Sequence, residues 1–146
     1  MRSKILNAGA GERTFAIVFD TGEEPMSLLA RFAEEHNLDA AHFTAIGAFS
    51  EVVVAYFDWE TKDYLRIPIR EQVEVLALVG DIAFSEQEKK PKIHAHVVLG
   101  KRDGTAHGGH LVEARVRPTL EVVLTESSGT LARRHDPQSG LALIRF

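Results

Sequence analysis

The chain has 146 residues and no cysteine, which excludes disulfides, thiolate metal sites and a cysteine nucleophile. Hydrophobic residues make up 45% and charged residues 26% of the sequence, a composition typical of globular proteins and not of disordered chains. The net charge of −4 argues against a dedicated nucleic-acid binder, which usually has a strong basic excess. The sequence shows no signal peptide and no apolar run of the roughly 18–20 residues that a membrane helix needs, so we expect one cytoplasmic domain over residues 1–146.

The first predicted elements in chain order are a strand and a helix. Residues 14–19 are almost continuously apolar and predict a buried strand that ends at the turn sequence 20–22. A helix is predicted over about residues 25–36, because Pro25 suits a first helical turn and Asn37 suits a C-cap. Its apolar face consists of Leu28, Leu29, Phe32 and Ala33, with His36 on the same stripe.

Strand patterns fill most of the remaining chain. Turn sequences separate short segments rich in Val, Ile and Phe, which predict strands over residues 40–48, 52–57, 64–69, 73–82, 93–99, 110–116, 120–125 and 141–146. One helix against about eight strands predicts an α+β fold, with a mostly antiparallel sheet and the helix on one face. Several strands lack alternation and so need cover on both faces, which favours an oligomer for a chain of this length.

Three segments between these strands predict turns or loops. Residues 58–63 predict a hairpin tip, and Asp103-Gly104 predicts a two-residue type I′ turn. The charged segment 85–92 predicts either a surface loop or a flap beside the following strand.

The most informative strand contains His94 and His96. Residues two apart in a strand point to the same face, with Cα atoms about 6.6 Å apart, so both imidazoles can reach one ion. Neutral imidazole ligands favour zinc, with nickel, copper or iron as alternatives. A pair alone is weak evidence, and a solvated polar cluster is the alternative explanation.

A third imidazole would come from His107 or His110. If Asp103-Gly104 forms the tip, His107 lies about 13 Å along the strand from His96, too far to share an ion. His110 lies close to His96 but on the opposite face, and a bulge at residues 108–109 would correct this. We therefore predict His94, His96 and His110 as metal ligands, with a bulge at the two glycines and His107 at the rim.

Three protein ligands leave one coordination position open, as in catalytic zinc sites. This pattern supports a metal-dependent enzyme that acts on a small oxygenated or carboxylate ligand, whereas a structural metal site is the alternative. A carboxylate could also approach the site, and the candidates in predicted strands are Glu74, Asp81, Glu113 and Glu121. The sequence indicates no general acid or base.

The sequence resembles the PPC (plants-and-prokaryotes conserved) domain family over about residues 14–146. The matching segments are Ile46-Gly47-Ala48-Phe49, Val73-Glu74-Val75-Leu76 leading to Gly80-Asp81-Ile82, His94-Ala95-His96, and Gly108-Gly109-His110-Leu111. The resemblance implies an α+β domain with an antiparallel sheet that assembles as a homotrimer.

The same resemblance implies DNA as a partner, because bacterial members of the family are described as candidate DNA-binding proteins. In plant relatives DNA contact comes from a separate AT-hook with the core Arg-Gly-Arg-Pro, which reads the minor groove. This chain has only Arg115-Val116-Arg117-Pro118, in a strand pattern and without the glycine. The missing AT-hook and the net charge of −4 both give DNA binding little support.

A second resemblance concerns the metal ligands alone. His-x-His followed by Gly-Gly-His is similar to the zinc ligand set of acetolactate decarboxylase, in which the metal polarises substrate oxygens as carbon dioxide leaves. It maps onto His94, His96 and His110 and implies a decarboxylase-like lyase as the alternative function. Candidate substrate clamps are Arg66, Arg70 and Arg115, which could equally be ordinary surface charges.

Overall fold

The computed structural model describes residues 1–9 and 11–146. Within them the chain forms nine strands and one helix. In chain order these are β1 (Arg2–Gly9), β2 (Glu12–Asp20), α1 (Pro25–His36), β3 (Ala40–Asp58), β4 (Asp63–Ile69), β5 (Val73–Ser85), β6 (Lys90–Gly100), β7 (Ala106–Glu126), β8 (Ala132–His135) and β9 (Ala142–Arg145). No helix in these two ranges is long and apolar enough to cross a membrane.

All nine strands belong to one mixed sheet that is mostly antiparallel, as predicted. The main path runs β1-β2-β7-β3-β5-β8-β9, and β4 pairs with β3. Strand β6 pairs with both β5 and β7, so β3, β5, β6 and β7 form a closed circuit of paired strands. Alternate side chains of this circuit are buried in the hydrophobic core, and the intervening ones point outward.

Helix α1 has the predicted bounds because capping residues define both of its ends. The carboxylate of Glu24 accepts hydrogen bonds from the backbone N–H groups of Met26 (3.2 Å) and Ser27 (2.7 Å). Asn37 ends the helix in the left-handed conformation, at φ 54° and ψ 50°. The buried face includes Leu29 and Phe32 and packs against β6 and β7.

Two pairs of predicted strands are each one long bent strand, and this part of the prediction is wrong. The segments 40–48 and 52–57 are both part of β3, and 110–116 and 120–125 are both part of β7. Register shifts between β3 and β7 lie near Gly47 and at residues 49–51. Such irregularities bend a strand without ending it, so the interruption in the apolar pattern is not a strand end.

The prediction also misses β1 and β8 and overestimates the loop at 85–92. Every residue of β1 is exposed, so the strand lacks the apolar alternation by which strands are recognised. Strand β5 continues to Ser85 and β6 starts at Lys90, so a four-residue turn joins them. The charged residues of this segment thus partly belong to the β5–β6 hairpin and not to a long loop or flap.

The turn between β6 and β7 differs from the predicted two-residue turn. The N–H of Lys101 donates to the carbonyl of Thr105, and the N–H of Gly104 donates to that of Lys101, both at 2.9 Å. Gly104 has φ +83°. These contacts define a three-residue loop in which a type I turn is followed by a left-handed glycine. The strand partners are therefore one residue away from those of the predicted turn.

This change of register makes the predicted bulge at residues 108–109 unnecessary, and the β6–β7 pairing is regular there. The two glycines have a different role. A Cβ atom at Gly108 would lie 2.7 Å from the carbonyl oxygen of Val97, and one at Gly109 would lie 2.8 Å from that of Ala55. Glycine therefore lets β7 run close to β6 on one side and to β3 on the other.

Candidate metal centre

Strands β6 and β7 bring three imidazoles together on the outer face of the closed circuit. His94 and His96 lie two apart on β6, and His110 is the direct partner of His96 on β7. Each ring offers a nitrogen atom, and these atoms all lie within 4.8 Å of one another. The ring centroids are 5.0 Å apart for His94 and His96, 5.2 Å for His94 and His110, and 5.4 Å for His96 and His110. His107, in contrast, is exposed and lies opposite Leu99, outside the cluster.

Burial and the charge of neighbouring imidazoles favour the neutral form of His96 and His110. Burial lowers the pKa of His110 to about 4, with further lowering by the charges of His94 and His96. The pKa of His96 is lowered by burial and then by the charge of His94. Neutral imidazole has a free lone pair, which is the form that binds a metal ion.

Two observations fit a divalent transition metal at this cluster. The Nε2 atoms of His94 and His96 are 3.2 Å apart. Two nitrogens on tetrahedral zinc, each about 2.0–2.1 Å from the ion, would be about 3.3 Å apart. In addition, the Nδ1 atom of His110 is buried and has no hydrogen-bond partner among residues 1–9 and 11–146. A buried polar atom without a partner is costly unless a ligand supplies one.

Of the four candidate carboxylates, Asp81 lies beside the cluster. Its Oδ2 atom is 3.8 Å from Nδ1 of His94, and its Oδ1 atom accepts a hydrogen bond from Nη2 of Arg133. Burial acts to raise the pKa of Asp81, but His94 and the guanidinium of Arg133 outweigh it and hold the pKa below its ordinary value. Asp81 thus lies where a carboxylate can orient the imidazole of His94.

The other three carboxylates lie elsewhere on the sheet. Glu113 pairs with Arg66 at 2.6 Å, Glu74 lies opposite Gly100, and Glu121 lies opposite Ile46. All three are exposed.

A cavity of about 330 Å³ opens beside the cluster, and we call it the C-terminal cavity because β8, β9 and the turn between them form one wall. His94 and His110 line its other side. Neither Arg66, Arg70 nor Arg115 is among its lining residues. Arg70 and Arg115 instead line a separate cavity of about 250 Å³.

The arginine beside the cluster is Arg133, which sequence reasoning missed. It lies in β8, a four-residue strand without apolar alternation, and its position depends on the parallel pairing of β8 with β5. The only local signal is a pair of adjacent arginines, and nothing in the sequence distinguishes the buried Arg133 from the exposed Arg134.

Comparison with solved structures shows close similarity over nearly the whole chain. A metal-containing protein from Archaeoglobus fulgidus is 37% identical, with 91% of this chain and 93% of that chain covered and a TM-score of 0.81. A plant- and prokaryote-conserved (PPC) protein from Pyrococcus horikoshii is 28% identical, covers 99% of this chain and 95% of its own, and has a TM-score of 0.84. A protein from Bacteroides thetaiotaomicron described as a "putative DNA-binding protein" is 26% identical, with coverage of 99% and 97% and a TM-score of 0.84.

The α-acetolactate decarboxylase of Bacillus subtilis is a more distant structural neighbour. It is 13% identical, with 88% of this chain and 58% of that chain covered and a TM-score of 0.57, so the likeness is one of fold. No curated protein matches the chain. The model of the Plants and Prokaryotes Conserved (PCC) domain, however, matches residues 6–128. The chain therefore belongs to the Plants and Prokaryotes Conserved domain family.

Proposed function

We propose that the protein binds a divalent transition metal, zinc before others, through His94, His96 and His110. The observation that carries this proposal is the convergence of three imidazole nitrogens within 4.8 Å of one another. The relative from Archaeoglobus fulgidus, described as metal-containing, adds independent support. When bound, the ion would act as a Lewis acid toward an oxygen of a small ligand.

The chain's own residues prepare the cluster for this role. Burial lowers the pKa of His110 and favours its neutral imidazole, and the carboxylate of Asp81 lies 3.8 Å from Nδ1 of His94. Three histidines leave a coordination position for an exogenous ligand, and the adjacent C-terminal cavity gives such a ligand room. These features favour a metal-dependent enzyme over a closed structural metal site.

Metal content of untagged protein tests the proposal directly. Mass spectrometry should find about one ion per chain in the wild type and none in the His94→Ala and His110→Ala variants. The matched control is His107→Ala, which removes an exposed imidazole from the same strand as His110 and should keep the metal. A wild type that holds no metal, and takes up no zinc on addition, would refute the proposal.

DNA binding is a second candidate function, favoured by the description of the relative from Bacteroides thetaiotaomicron. The net charge of −4 opposes it. The segment 115–118, which lacks the glycine of an AT-hook, lies within β7, and its Val116 is fully buried, so this segment is not free to enter a minor groove. Retention on DNA that persists at physiological salt would support this function, whereas loss of all binding there would exclude it.

We further propose a homotrimer that forms through an apolar patch on the outer face of the sheet. The patch contains Ile46, Leu76, Val79 and Val123, which are 61%, 55%, 52% and 49% exposed in the monomer. Thr44 joins it, because Thr44 pairs with Val79 on one side and with Val123 on the other. Contiguous apolar side chains on a monomer surface are typical of an interface between copies.

A further inference from the structure

The C-terminal cavity lies between the histidine cluster and the C-terminal strands. One wall carries two of the three clustered histidines, and the opposite wall comes from residues 133–143. That second wall follows the range of residues 6–128 that the family model matches. The two walls thus come from different parts of the chain.

The side chains that line the cavity offer hydrogen-bond donors. They include Arg133 and Lys92, the imidazoles of His94, His110 and His135, and the hydroxyl of Tyr64. Among residues 1–9 and 11–146 the lining contains no carboxylate, and the nearby Asp81 and Glu88 are paired with Arg133 and Lys92. A molecule in this cavity would meet hydrogen-bond donors, among them the guanidinium of Arg133 and the ammonium of Lys92, each already paired with one carboxylate. The ligands that match such a lining are rich in acceptor atoms.

Arg133 is the best-placed anchor for such a ligand. Its side chain is 7% exposed, which is unusual for arginine. Two of its nitrogens donate to Asp81 and to the carbonyl of Ala142, while its Nε has no acceptor among residues 1–9 and 11–146. The buried guanidinium thus has donor capacity that the protein leaves unused, and planar donors of this kind match a carboxylate.

Asp81 lies next to a residue of each wall. Its carboxylate contacts Arg133 with one oxygen and approaches His94 with the other, so guanidinium and imidazole flank the same small group. Arg133 and His94 are therefore both neighbours of one carboxylate, which places the guanidinium beside the histidine cluster.

We propose that the C-terminal cavity binds a small carboxylate that carries a second oxygen on the adjacent carbon. Arg133 holds the carboxylate, and the second oxygen faces the open side of the histidine cluster. This inference rests on the proposed metal site and specifies the ligand class that the site takes.

The test uses L-lactate as the probe and its neutral amide, L-lactamide, as the matched control ligand. Both are titrated by calorimetry into full-length protein whose zinc content has been measured. Lactate should bind wild type at least about tenfold more tightly than lactamide, because only lactate forms a charge-assisted pair with Arg133. The Arg133→Gln variant should lose a similar factor for lactate while it retains zinc.

Two further variants separate this role from a structural one. Arg134→Gln removes the same charge from the next residue, which is exposed and paired with Glu86, and should bind lactate like wild type. Arg133→Lys keeps a positive charge beside Asp81 without the planar donor pair and should give an intermediate affinity. Equal binding of lactate and lactamide by zinc-loaded wild type would overturn the inference even if Arg133→Gln failed to fold.

The outcomes distinguish this inference from the proposed metal site. If zinc-loaded protein does not bind lactate at millimolar concentrations, the carboxylate site is overturned and the proposed metal site is unaffected. Wild type without zinc overturns the metal site, and lactate is then titrated into the zinc-free protein. Binding that depends on Arg133 would support the carboxylate site alone, whereas no binding would overturn both.

Discussion

His96 and His110 are direct partners across β6 and β7, and the three-residue loop at 102–104 sets this register. Both imidazoles consequently share one face of the sheet with His94. Because side chains alternate with a period of two, a shift of one residue in this pairing would turn His110 to the opposite face. The candidate metal centre thus depends on the geometry of a turn six residues along the chain from His110.

Deletions in this hairpin test the dependence on register. Removal of Arg102 should leave metal binding intact, because Asp103-Gly104 can then form a two-residue type I′ turn between the same flanking residues, Lys101 and Thr105. Removal of Ala106 should abolish binding, since it shifts β7 by one residue relative to β6. Metal content of the two purified variants, by mass spectrometry, checks both expectations, and equal metal loading would contradict them.

Substitution of Asp81 tests its role behind His94. We expect Asp81→Asn to weaken zinc binding by about 10–100-fold, because the imidazole loses the carboxylate that orients it and increases its basicity. Competition with a chromogenic chelator measures this change. The matched control is Glu74→Gln, an exposed position of the same strand, which should leave the affinity within about twofold. Equal losses in the two variants would point to a general effect of surface charge.

The low pKa of His110 predicts a pH dependence of stability in metal-free protein. Its pKa is about 4 in the folded chain and near its ordinary 6.5 when unfolded. Between these values the unfolded state binds more protons, so the free energy of unfolding falls as the pH drops from 6.5 toward 4 and levels off below. Since the ring is only partly buried, we expect a loss of roughly 1–3 kcal/mol.

A comparison of urea denaturation curves for wild type and His110→Gln isolates this contribution. The variant lacks the titrating ring, so its free energy of unfolding should fall less over the same pH range. If the two proteins lose stability in parallel, His110 does not have the low pKa on which the prediction rests.

The apolar patch predicts how assembly responds to charge. Sedimentation analysis should find wild type at three times the 16.2 kDa mass of the chain. Ile46→Asp should shift the protein toward monomer, because a carboxylate buried between copies without a partner costs several kcal/mol. Leu65→Asp, which alters an apolar residue 62% exposed on β4 and outside the patch, should remain a trimer. A monomeric wild type would contradict the proposed interface.

Local signals in the sequence predict α1 correctly, since Pro25 and Asn37 act on the backbone next to them. The candidate cluster could also be assembled from the sequence, because His94 and His96 share a face by strand periodicity alone. The turn type was wrong because Asp-Gly fits both a two-residue loop and the end of a three-residue loop. Strand β1 is not predicted because all its residues are exposed, so it has no buried face that would give an apolar pattern. The burial of Arg133 is not predicted because it depends on the pairing of β8 with β5, which is far away in the sequence.

The three clustered histidines all lie between residues 94 and 110, within a single hairpin. Closing so short a loop costs little chain entropy compared with the pairing of β3 and β7, whose partners are far apart in sequence. The hairpin can therefore present its donor atoms before most of the sheet has formed. An ion bound at that stage would hold the β6–β7 register in place, and zinc in the refolding buffer should then increase the rate of folding as well as the final stability.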